Sequence, residues 1–360
     1  MKQYLKLTYD SLKNHGLKVV LIRLIKFIVV KFKRYFLLND PTNQKKWEDI
    51  KGKYNGKRVF VIGNGPSLNE TPLYLLKDEY KICFNHFYLM LPRVGWNPDF
   101  FMITDDMVIR DMPELFTKSL LPGVEYSFFP DIHPNNTNFK KYVPNRDNVL
   151  WMHNDYPGFR LDLPKCGINR TVVNAAIQVM AHLGFSEIIL LGVDVSYSFQ
   201  SHKVKNISTR DLVSEEDDPN HFDPRYFGIG KKYHYQPMYE MVERFQVVKE
   251  FFDKQNVKII NAGVGGKLEV FERKTLSSIL NYGFDKEKEI FENLVNNYLQ
   301  NFKFEFKYEE IIQTIDNLDL EKDYFVIEQN IGKDMIAKLI YSHIALGPFN
   351  ECYVFIKNSK

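Results

Sequence analysis

Short apolar runs alternate along the chain with segments whose apolar residues recur every three or four positions, as buried strands alternate with helices. The runs predict strands at Val59–Ile62, Tyr80–Phe84, Phe100–Thr104, Glu187–Leu191 and Val257–Asn261. The periodic segments predict helices at Asn69–Lys77, Thr171–Leu183 and Tyr239–Lys254. Because strands joined through helices run parallel and are covered on both faces, the pattern predicts an α/β fold with a mostly parallel sheet.

Polar residues collect where the predicted strands end. They lie at Gly63–Ser67, Asn85, Thr104–Asp106, Asp194–Ser196 and Asn261–Gly266. In open parallel sheets, ligands bind beyond the carboxyl ends of the strands. The sequence therefore predicts one ligand cleft that gathers these residues.

The N-terminal segment Leu17–Leu38 is basic and amphipathic. One helical face carries Leu17, Leu21, Leu24, Ile25, Ile28, Phe32 and Tyr35, and no acidic residue interrupts the segment. Arg23, Lys26 and Lys31 rule out a spanning helix, and no signal-peptide cleavage site follows. Two interpretations stay open, a helix on the cytoplasmic membrane surface and an ordinary helix packed on the domain.

Charge is distributed unevenly along the chain. Residues 1–58 carry 15 Lys and Arg against 4 Asp and Glu, whereas the remainder carries 33 against 41. A nucleic-acid enzyme would carry its basic charge on the catalytic body, so nucleic acid is not expected as a partner. The three cysteines are too few and too scattered for a disulfide framework or a zinc site, which indicates a reducing cytoplasm.

Composition divides the chain into three parts. Residues 1–56 form the basic segment and include a polar run after Pro41 that resembles a linker, residues 57–284 form the α/β domain with the predicted ligand cleft, and residues 285–360 form a small α+β accessory region. The accessory region carries no recognisable motif. A homo-oligomer is left open, because nothing in the sequence determines the oligomeric state.

The stretch "RVFVIGNGPSLNE" from Arg58 to Glu70 runs from a strand into a glycine-rich turn. Leu68 stands at the third glycine of the dinucleotide fingerprint, and Asn85 stands where an acidic ribose ligand is expected. The run "NAGVGGKL" likewise fails as a Walker loop. What remains is a turn whose N–H groups hold one phosphate, with Ser67 adding a hydroxyl or capping a helix, or simply a tight turn.

Four motifs in order carry a resemblance to a known family. They are "FVIGNGPSLNE", "CFNHFYLM", "NRTVVNAAIQVMAHLGFSEIILLGVDVSYS" and "VKIINAGVGGKLEVF". The set resembles glycosyltransferase family 42, the bacterial sialyltransferases that use CMP-activated sugars, and the related motility accessory factors that act on nonulosonic acids. The resemblance covers residues 57–280.

The resemblance implies a Rossmann-like, GT-A-like fold and an inverting, metal-independent transfer that needs no cofactor beyond the CMP-sugar donor. The acceptor would be a hydroxyl of a cell-surface glycan or glycolipid. The basic N-terminal helix would place the enzyme peripherally on the inner face of the cell membrane. Nucleotide-binding positions implied by the motifs are Gly63, Asn64, Gly65, Pro66, Ser67, Asn85, Thr104, Asp105, Thr171, Asp194 and Ser196.

The chain departs from the family pattern at two places. Val172 stands where the sialyltransferases have serine, and Ser196 stands at the first of two phosphate-assisting tyrosines, with Tyr197 one position away. The second of those tyrosines falls near His202. The donor sugar is therefore open between sialic acid, Kdo and another nonulosonate.

Two histidines are candidate general bases, since imidazole titrates near neutral pH. They are His221 and His234, and the family's base position before the Tyr239–Lys254 helix favours His234. Predicted phosphate or donor-sugar contacts are Tyr197, Tyr226, Tyr233 and Tyr235. Asp105 and Asp106 lack the spacing of a DxD motif, and a monophosphate leaving group needs less charge neutralisation than a diphosphate, so no metal is predicted.

Two other functions remain compatible with the sequence. One is another nucleotide-dependent transferase on the same fold, such as a diphosphokinase or a nucleotide-sugar transferase with a different base. The other is a non-catalytic nucleotide-binding protein. Turnover of a CMP-sugar would distinguish a glycosyltransferase from a non-catalytic protein that only binds CMP. Sensitivity to EDTA would count against a metal-independent transfer.

Overall fold

A computed structural model describes residues 18, 21–22, 24–25, 28–113, 123–133, 137–154, 158–168, 170–197, 203–208, 211–235, 237–300, 307, 324–328 and 333–358. Its strands are β1 Arg58–Ile62, β2 Lys81–Phe84, β3 Phe100–Met102, β4 Tyr126–Pro130, β5 Val149–Met152, β6 Glu187–Leu191, β7 Val204–Asn206, β8 Asp211–Ser214, β9 Lys232–His234, β10 Lys258–Asn261, β11 Glu272–Arg273, β12 Tyr324–Glu328, β13 His343–Phe349 and β14 Cys352–Lys357.

Eight of these strands form the central sheet, in the order β11-β10-β6-β1-β2-β3-β4-β5. Every neighbouring pair in it is parallel. The α/β prediction with a mostly parallel sheet is therefore confirmed. The five predicted strands are present with small shifts at their ends, whereas β4, β5 and β11 were not predicted.

The α-helices are α1 Pro41–Ile50, α2 Leu91–Val94, α3 Asp106–Asp111, α4 Val172–His182, α5 Met238–Asp253, α6 Leu276–Leu280, α7 Phe284–Leu299 and α8 Lys333–Leu339. The predicted linker after Pro41 is wrong for α1, because Asp40 caps this helix and Trp47 and Ile50 are buried. The predicted helix Asn69–Lys77 is also wrong, since two 3₁₀ helices, Pro66–Glu70 and Leu73–Leu76, replace it.

Both faces of the sheet are covered. In β1, Val59 and Val61 point into one apolar cluster, while Phe60 and Ile62 point into the other. Helices α4 and α5 cover the first face, and the 3₁₀ helices and α7 cover the second. Asn64, Asn85 and Asp194 follow β1, β2 and β6 in the chain, and they lie at the carboxyl end of the sheet.

The C-terminal region packs on the body. Its antiparallel sheet has the order β12-β14-β13, and Phe349 of this sheet stacks on Phe291 of α7. The Tyr353 hydroxyl donates to the carbonyl of Asn69 at 2.9 Å, and Arg93 Nε donates to that of Ala345 at 3.1 Å. Its apolar residues join the cluster on the second face of the central sheet, while the boundaries at residues 56 and 284 stay predictions.

A third, small sheet stands over the carboxyl end of the central one. It is antiparallel, in the order β7-β8-β9, and its register pairs Asp211 with His234. Cross-strand partners lie close enough for their side chains to interact. The small sheet therefore carries His234 and a carboxylate partner to the strand ends.

Candidate active site

One cavity of about 840 Å³ opens at the carboxyl ends of the central strands. Its volume is in the range of small-molecule sites. The predicted residues that line it are Gly63, Asn64, Gly65, Asn85, Thr104, Asp105, Thr171, Asp194, Ser196, Tyr197, His221, Tyr226, His234 and Tyr235. The structure therefore gathers residues from strand ends that are far apart in the chain.

Three predicted residues lie outside the cavity wall. Pro66 begins the first 3₁₀ helix. Ser67 is 1% exposed, and both its N–H and its hydroxyl donate to the carboxylate of Asp194. Tyr233 is buried in the core, where its ring stacks on Phe227 at a centroid distance of 4.8 Å. In this structure both side chains thus contact other protein groups, and the expected sugar contact of Tyr233 and phosphate contact of Ser67 stay predictions.

The GNGPS turn uses its N–H groups internally. Gly63 N donates to the carbonyl of Leu191 at 2.7 Å and Gly65 N to that of Gly192 at 2.8 Å. Ser67 N donates to Asp194 Oδ2 at 2.9 Å. The Asp194 carboxylate thus accepts an N–H group that the sequence assigned to a phosphate. The N–H groups of these three residues are hydrogen-bonded within the protein, and the phosphate-holding role of the turn stays a prediction.

The two glycines of the turn permit close approach of β1 to β6. A Cβ on Gly63 would lie 2.3 Å from the carbonyl oxygen of Gly192, and a Cβ on Gly65 would lie 2.4 Å from Asp194 Oδ2. Neither distance is accessible to a real side chain. The glycines are therefore required by packing of the two turns, a reason that the phosphate interpretation did not contain.

Replacing Gly63 by alanine is expected to lower the free energy of unfolding by about 2 kcal/mol, because a backbone oxygen has to move. Urea denaturation measures this change. Gly283→Ala is the matched control, since a Cβ there meets nothing within 4 Å and the φ angle is negative. Equal stability of both variants would contradict the packing role.

Three asparagines face the cavity with buried amide atoms that lack a partner among the described residues. They are Oδ1 of Asn64, Oδ1 of Asn85, and both Oδ1 and Nδ2 of Asn154. A buried polar atom without a hydrogen bond costs about 1–3 kcal/mol. Such atoms at a cavity wall are suited to bind a neutral polar ligand group, and Asn154 was missed by the sequence analysis.

The backbone is strained at three positions on the cavity wall. Asn85, Arg170 and Val195 have φ angles of 53°, 75° and 48°. A β-branched residue such as Val195 is disfavoured in this left-handed region. Strain of this kind concentrates at functional sites, which agrees with a binding role for the cavity.

His234 is held between two carboxylates. Its Nδ1 lies 3.0 Å from Asp211 Oδ1, and its Nε2 lies 3.3 Å from Asp106 Oδ1. The hydrogen bond to Asp106 raises the pKa of His234 to about 9 against the effect of burial, and Asp105 and Asp211 add to the increase. At neutral pH His234 is therefore an imidazolium ion, which has no lone pair with which to accept a proton.

Asp106 is the centre of this cluster. Its Oδ2 accepts from Arg110 at 2.7 Å and from the Thr137 hydroxyl at 3.1 Å, and His133 Nδ1 lies 3.4 Å from its Oδ1. Burial opposes ionisation, but the hydrogen bond from His234 and the neighbouring His133, Thr137 and Arg110 hold the pKa of Asp106 well below its usual range. Asp106 is thus a buried, ionised residue that the sequence analysis did not assign.

His221 stands in a different hydrogen-bonded chain. Its Nδ1 lies 2.6 Å from Asp218 Oδ2, and its Nε2 lies 2.9 Å from the Tyr197 hydroxyl. Asp218 is buried and also accepts the N–H groups of Asn220 and Phe227. An ionised Asp218 holds the proton of His221 on Nδ1, so that Nε2 is left as an acceptor aimed at Tyr197.

The segment around His221 is fastened to the glycine turn. Phe222 N donates to the carbonyl of Asn64 at 3.1 Å, and Asn69 Nδ2 donates to the carbonyl of Phe222 at 2.9 Å. The His221 ring stacks on Tyr226 with a centroid distance of 3.8 Å and an interplanar angle of 3°. The imidazole is therefore fixed in orientation at the cavity wall.

The remaining polar residues of the wall have local roles as well. Asp105 Oδ1 caps α3 by accepting from Met107 N at 2.7 Å, and Thr171 caps α4 by accepting from Val173 N. Tyr235 is half exposed. Asp105 and Thr171 therefore border the cavity and also stabilise the helix that each begins. Tyr235 borders the cavity as well.

Asp105, Asp106 and His234 each offer one ligand atom within 4.8 Å of one another. This geometry is compatible with a divalent cation, although Arg110 and Thr137 already occupy one oxygen of Asp106. The sequence predicted no metal, and that prediction is not tested by the arrangement. Binding of a cation would require His234 to lose its proton.

Comparisons with known proteins show which family and which solved structures the chain is similar to. Residues 34–200 match the family described as 6-hydroxymethylpterin diphosphokinase MptE-like. No curated protein matches the chain significantly. Among solved structures, the Maf glycosyltransferase of Magnetospirillum magneticum AMB-1 is similar at 16% identity and a TM-score of 0.40, over 77% of this chain and 46% of that one. The chain thus spans about half the length of that protein.

The sialyltransferase CstII of Campylobacter jejuni is similar in two structures. The complex with the substrate analogue CMP-3FNeuAc shares 18% identity at a TM-score of 0.36, over 60% of this chain and 85% of that one. The complex with cytidine-5'-monophosphate shares 13% at a TM-score of 0.36, over 61% and 85%. The chain is similar to these proteins.

Proposed function

We propose that the protein transfers an acidic sugar from a CMP-activated donor to a hydroxyl of a glycan or glycolipid. The observation that carries the proposal is the set of unsatisfied amide atoms of Asn64, Asn85 and Asn154 in one cavity at the strand ends. Neutral amides of this kind recognise a base and a ribose through hydrogen bonds. The motif resemblance supports a CMP-activated donor, whose sugar is open between sialic acid, Kdo and another nonulosonate.

We propose further that His221 is the general base. An acceptor hydroxyl that takes the place of the Tyr197 hydroxyl gives its proton to His221 Nε2, while Asp218 stabilises the imidazolium that forms. The acceptor oxygen then bonds to the anomeric carbon of the donor. The bond from that carbon to the phosphate oxygen breaks, and its electron pair leaves with CMP.

His234 takes a different part in this scheme. As a cation between Asp106 and Asp211, it has both ring nitrogens engaged with carboxylates and no lone pair for a proton. The family's motif position favours His234 as the base. Because two carboxylates surround His234 in this chain, we assign the role of the base to His221 instead.

Replacing Asn154 by leucine tests the binding role. Leucine removes unsatisfied polar atoms, so the melting temperature of the free protein is expected to stay equal or rise, while CMP binds about tenfold more weakly. Thermal-shift titrations with CMP, CDP, UDP and GDP measure both effects. Preference for a nucleotide other than a cytidine nucleotide would contradict the donor.

The matched control for this variant is Asn43→Leu. Asn43 is also buried, but its amide bonds both the N–H and the carbonyl of Trp151. The same substitution there is expected to lower the melting temperature and to leave CMP affinity unchanged. If Asn154→Leu destabilised the protein as Asn43→Leu does, Asn154 would be structural.

A second candidate function is transfer of a diphosphate group from a nucleoside triphosphate. Two observations favour it, the match of residues 34–200 to a family named for a diphosphokinase and the cluster of Asp105, Asp106 and His234. Transfers from triphosphates use divalent cations to neutralise the phosphates. Tight binding of ATP with Mg²⁺, abolished by EDTA, would select this function over the first.

A further inference from the structure

The described part of the N-terminal segment exposes a row of large apolar side chains. Residues 28–38 are helical. Exposed fractions range from 44% for Ile28 to 70% for Phe36, and the row comprises Leu21, Ile22, Leu24, Ile25, Ile28, Val29, Phe32, Tyr35 and Phe36. Contiguous apolar surface of this extent marks an interaction site. We name this row the apolar face.

The opposite side of the helix is turned to the body. Arg34 is 7% exposed and donates from Nη2 to the carbonyl of His133 at 3.2 Å and to that of Ile132 at 3.4 Å. A helix that packed on the domain in the ordinary way would bury its apolar face and expose its basic side. In the structure the apolar face is exposed and Arg34 is buried against the body, although Lys18, Lys31 and Lys33 are exposed as well.

The positive charge around the apolar face indicates which partner binds there. Residues 17–38 contain no Asp or Glu, and Lys18, Lys31 and Lys33 are exposed beside the apolar face. A second copy of the same helix would bring two sets of these cations together. An anionic bilayer surface offers both an apolar layer and negative headgroups.

Arg34 connects this surface to the cavity. Its carbonyl partner His133 contributes to the cavity wall and lies beside Asp106. We propose that the apolar face docks on an anionic lipid bilayer and that Arg34 holds the cavity next to that bilayer. No helix in the described part of the chain is long and apolar enough to cross a membrane. The proposal does not depend on which transfer reaction the cavity performs.

Sedimentation of the full chain with vesicles tests the docking. Wild-type protein is expected to bind phosphatidylcholine vesicles that contain phosphatidylglycerol, to bind phosphatidylcholine alone weakly, and to be released by salt. Phe32→Glu/Phe36→Glu is expected to bind the anionic vesicles at least about tenfold more weakly. CMP thermal shifts of this variant are expected to equal those of wild type, which separates docking from donor binding.

The matched control is Ile229→Glu/Val264→Glu. Both side chains are exposed on the body, at 72% and 55%, and the change of net charge is the same. Full vesicle binding by the control supports the apolar face as the contact. Equal loss in both variants would show a nonspecific charge effect and overturn the proposal. A wild-type dimer that Phe32→Glu/Phe36→Glu dissociates, without vesicle binding, would overturn it in favour of a second copy.

Discussion

Replacing His221 by glutamine is expected to lower the rate of CMP release from a CMP-activated sugar by about a hundredfold or more. Glutamine keeps a hydrogen-bonding group near Asp218 and Tyr197 but does not accept a proton. The KM for the donor is expected to change little, because the asparagines that we assign to nucleotide binding are intact. Initial rates of CMP release under saturating acceptor measure the effect.

His343→Gln is the control for this substitution. His343 lies in β13, is hydrogen-bonded to the Ser342 hydroxyl at 2.8 Å and does not line the cavity. Its replacement is expected to leave the rate unchanged. Retained activity in His221→Gln together with a loss of about a hundredfold in His234→Gln would show that His234 is the base.

Replacing Asp106 by asparagine is expected to have the largest effect on stability, a loss of about 3 kcal/mol in the free energy of unfolding. The substitution removes the buried carboxylate that the partly buried His234 and the exposed Arg110 share. It is also expected to lower the pKa of His234 from about 9 toward the ordinary value, since the hydrogen bond to Asp106 is the main cause of the increase. Urea denaturation and NMR titration of His234 measure the two effects.

The stability difference between wild type and Asp106→Asn should depend on pH in a defined direction. The folded-state pKa of His234 is raised above 6.5, so its stabilising contribution is complete below pH 6.5 and is lost as the pH rises through about 9. The pKa of Asp106 is lowered, so its carboxyl group does not titrate in that interval. The difference should therefore shrink between pH 6.5 and pH 9, and a constant difference would contradict the pairing. Asp253→Asn, at an exposed carboxylate paired with Lys249, is the control with little effect.

The fold could be predicted where a strand is a continuous apolar run. The segments that became β1 and β6 are buried along nearly their whole length, which makes the run visible in the sequence. β4 begins with Tyr-Ser and ends in proline, which shortens its apolar run, whereas β5 is a four-residue apolar run as long as β2 and could have been predicted. The helix predicted after the glycine turn failed because Pro72 divides it.

The site could be predicted where a polar residue directly follows a recognised strand. Asn64, Asn85 and Asp194 were found in this way and line the cavity. Asn154 follows β5 in the same manner and was missed because β5 was missed. A local signal for it therefore exists, in the apolar run Val149–Met152 before His153 and Asn154.

The remaining site residues depend on contacts that no local pattern contains. Ser67 and Asp194 are separated by 127 residues, and His234 and Asp106 by 128. The first contact pairs a predicted phosphate ligand with a carboxylate. The second pairs a predicted base with a carboxylate. Both pairs follow from tertiary packing alone.

The bond from Arg34 to the carbonyl of His133 has a consequence for the choice of acceptor. If the apolar face lies in a bilayer, the cavity stands above the membrane by about one helix diameter, roughly 10 Å. An acceptor tethered to lipid then reaches the cavity by lateral diffusion and with a restricted orientation, whereas a free oligosaccharide must arrive from solution. The height of the cavity then selects acceptors by the number of sugar residues between the lipid and the reacting hydroxyl. The distance between anchor and hydroxyl becomes a criterion of specificity.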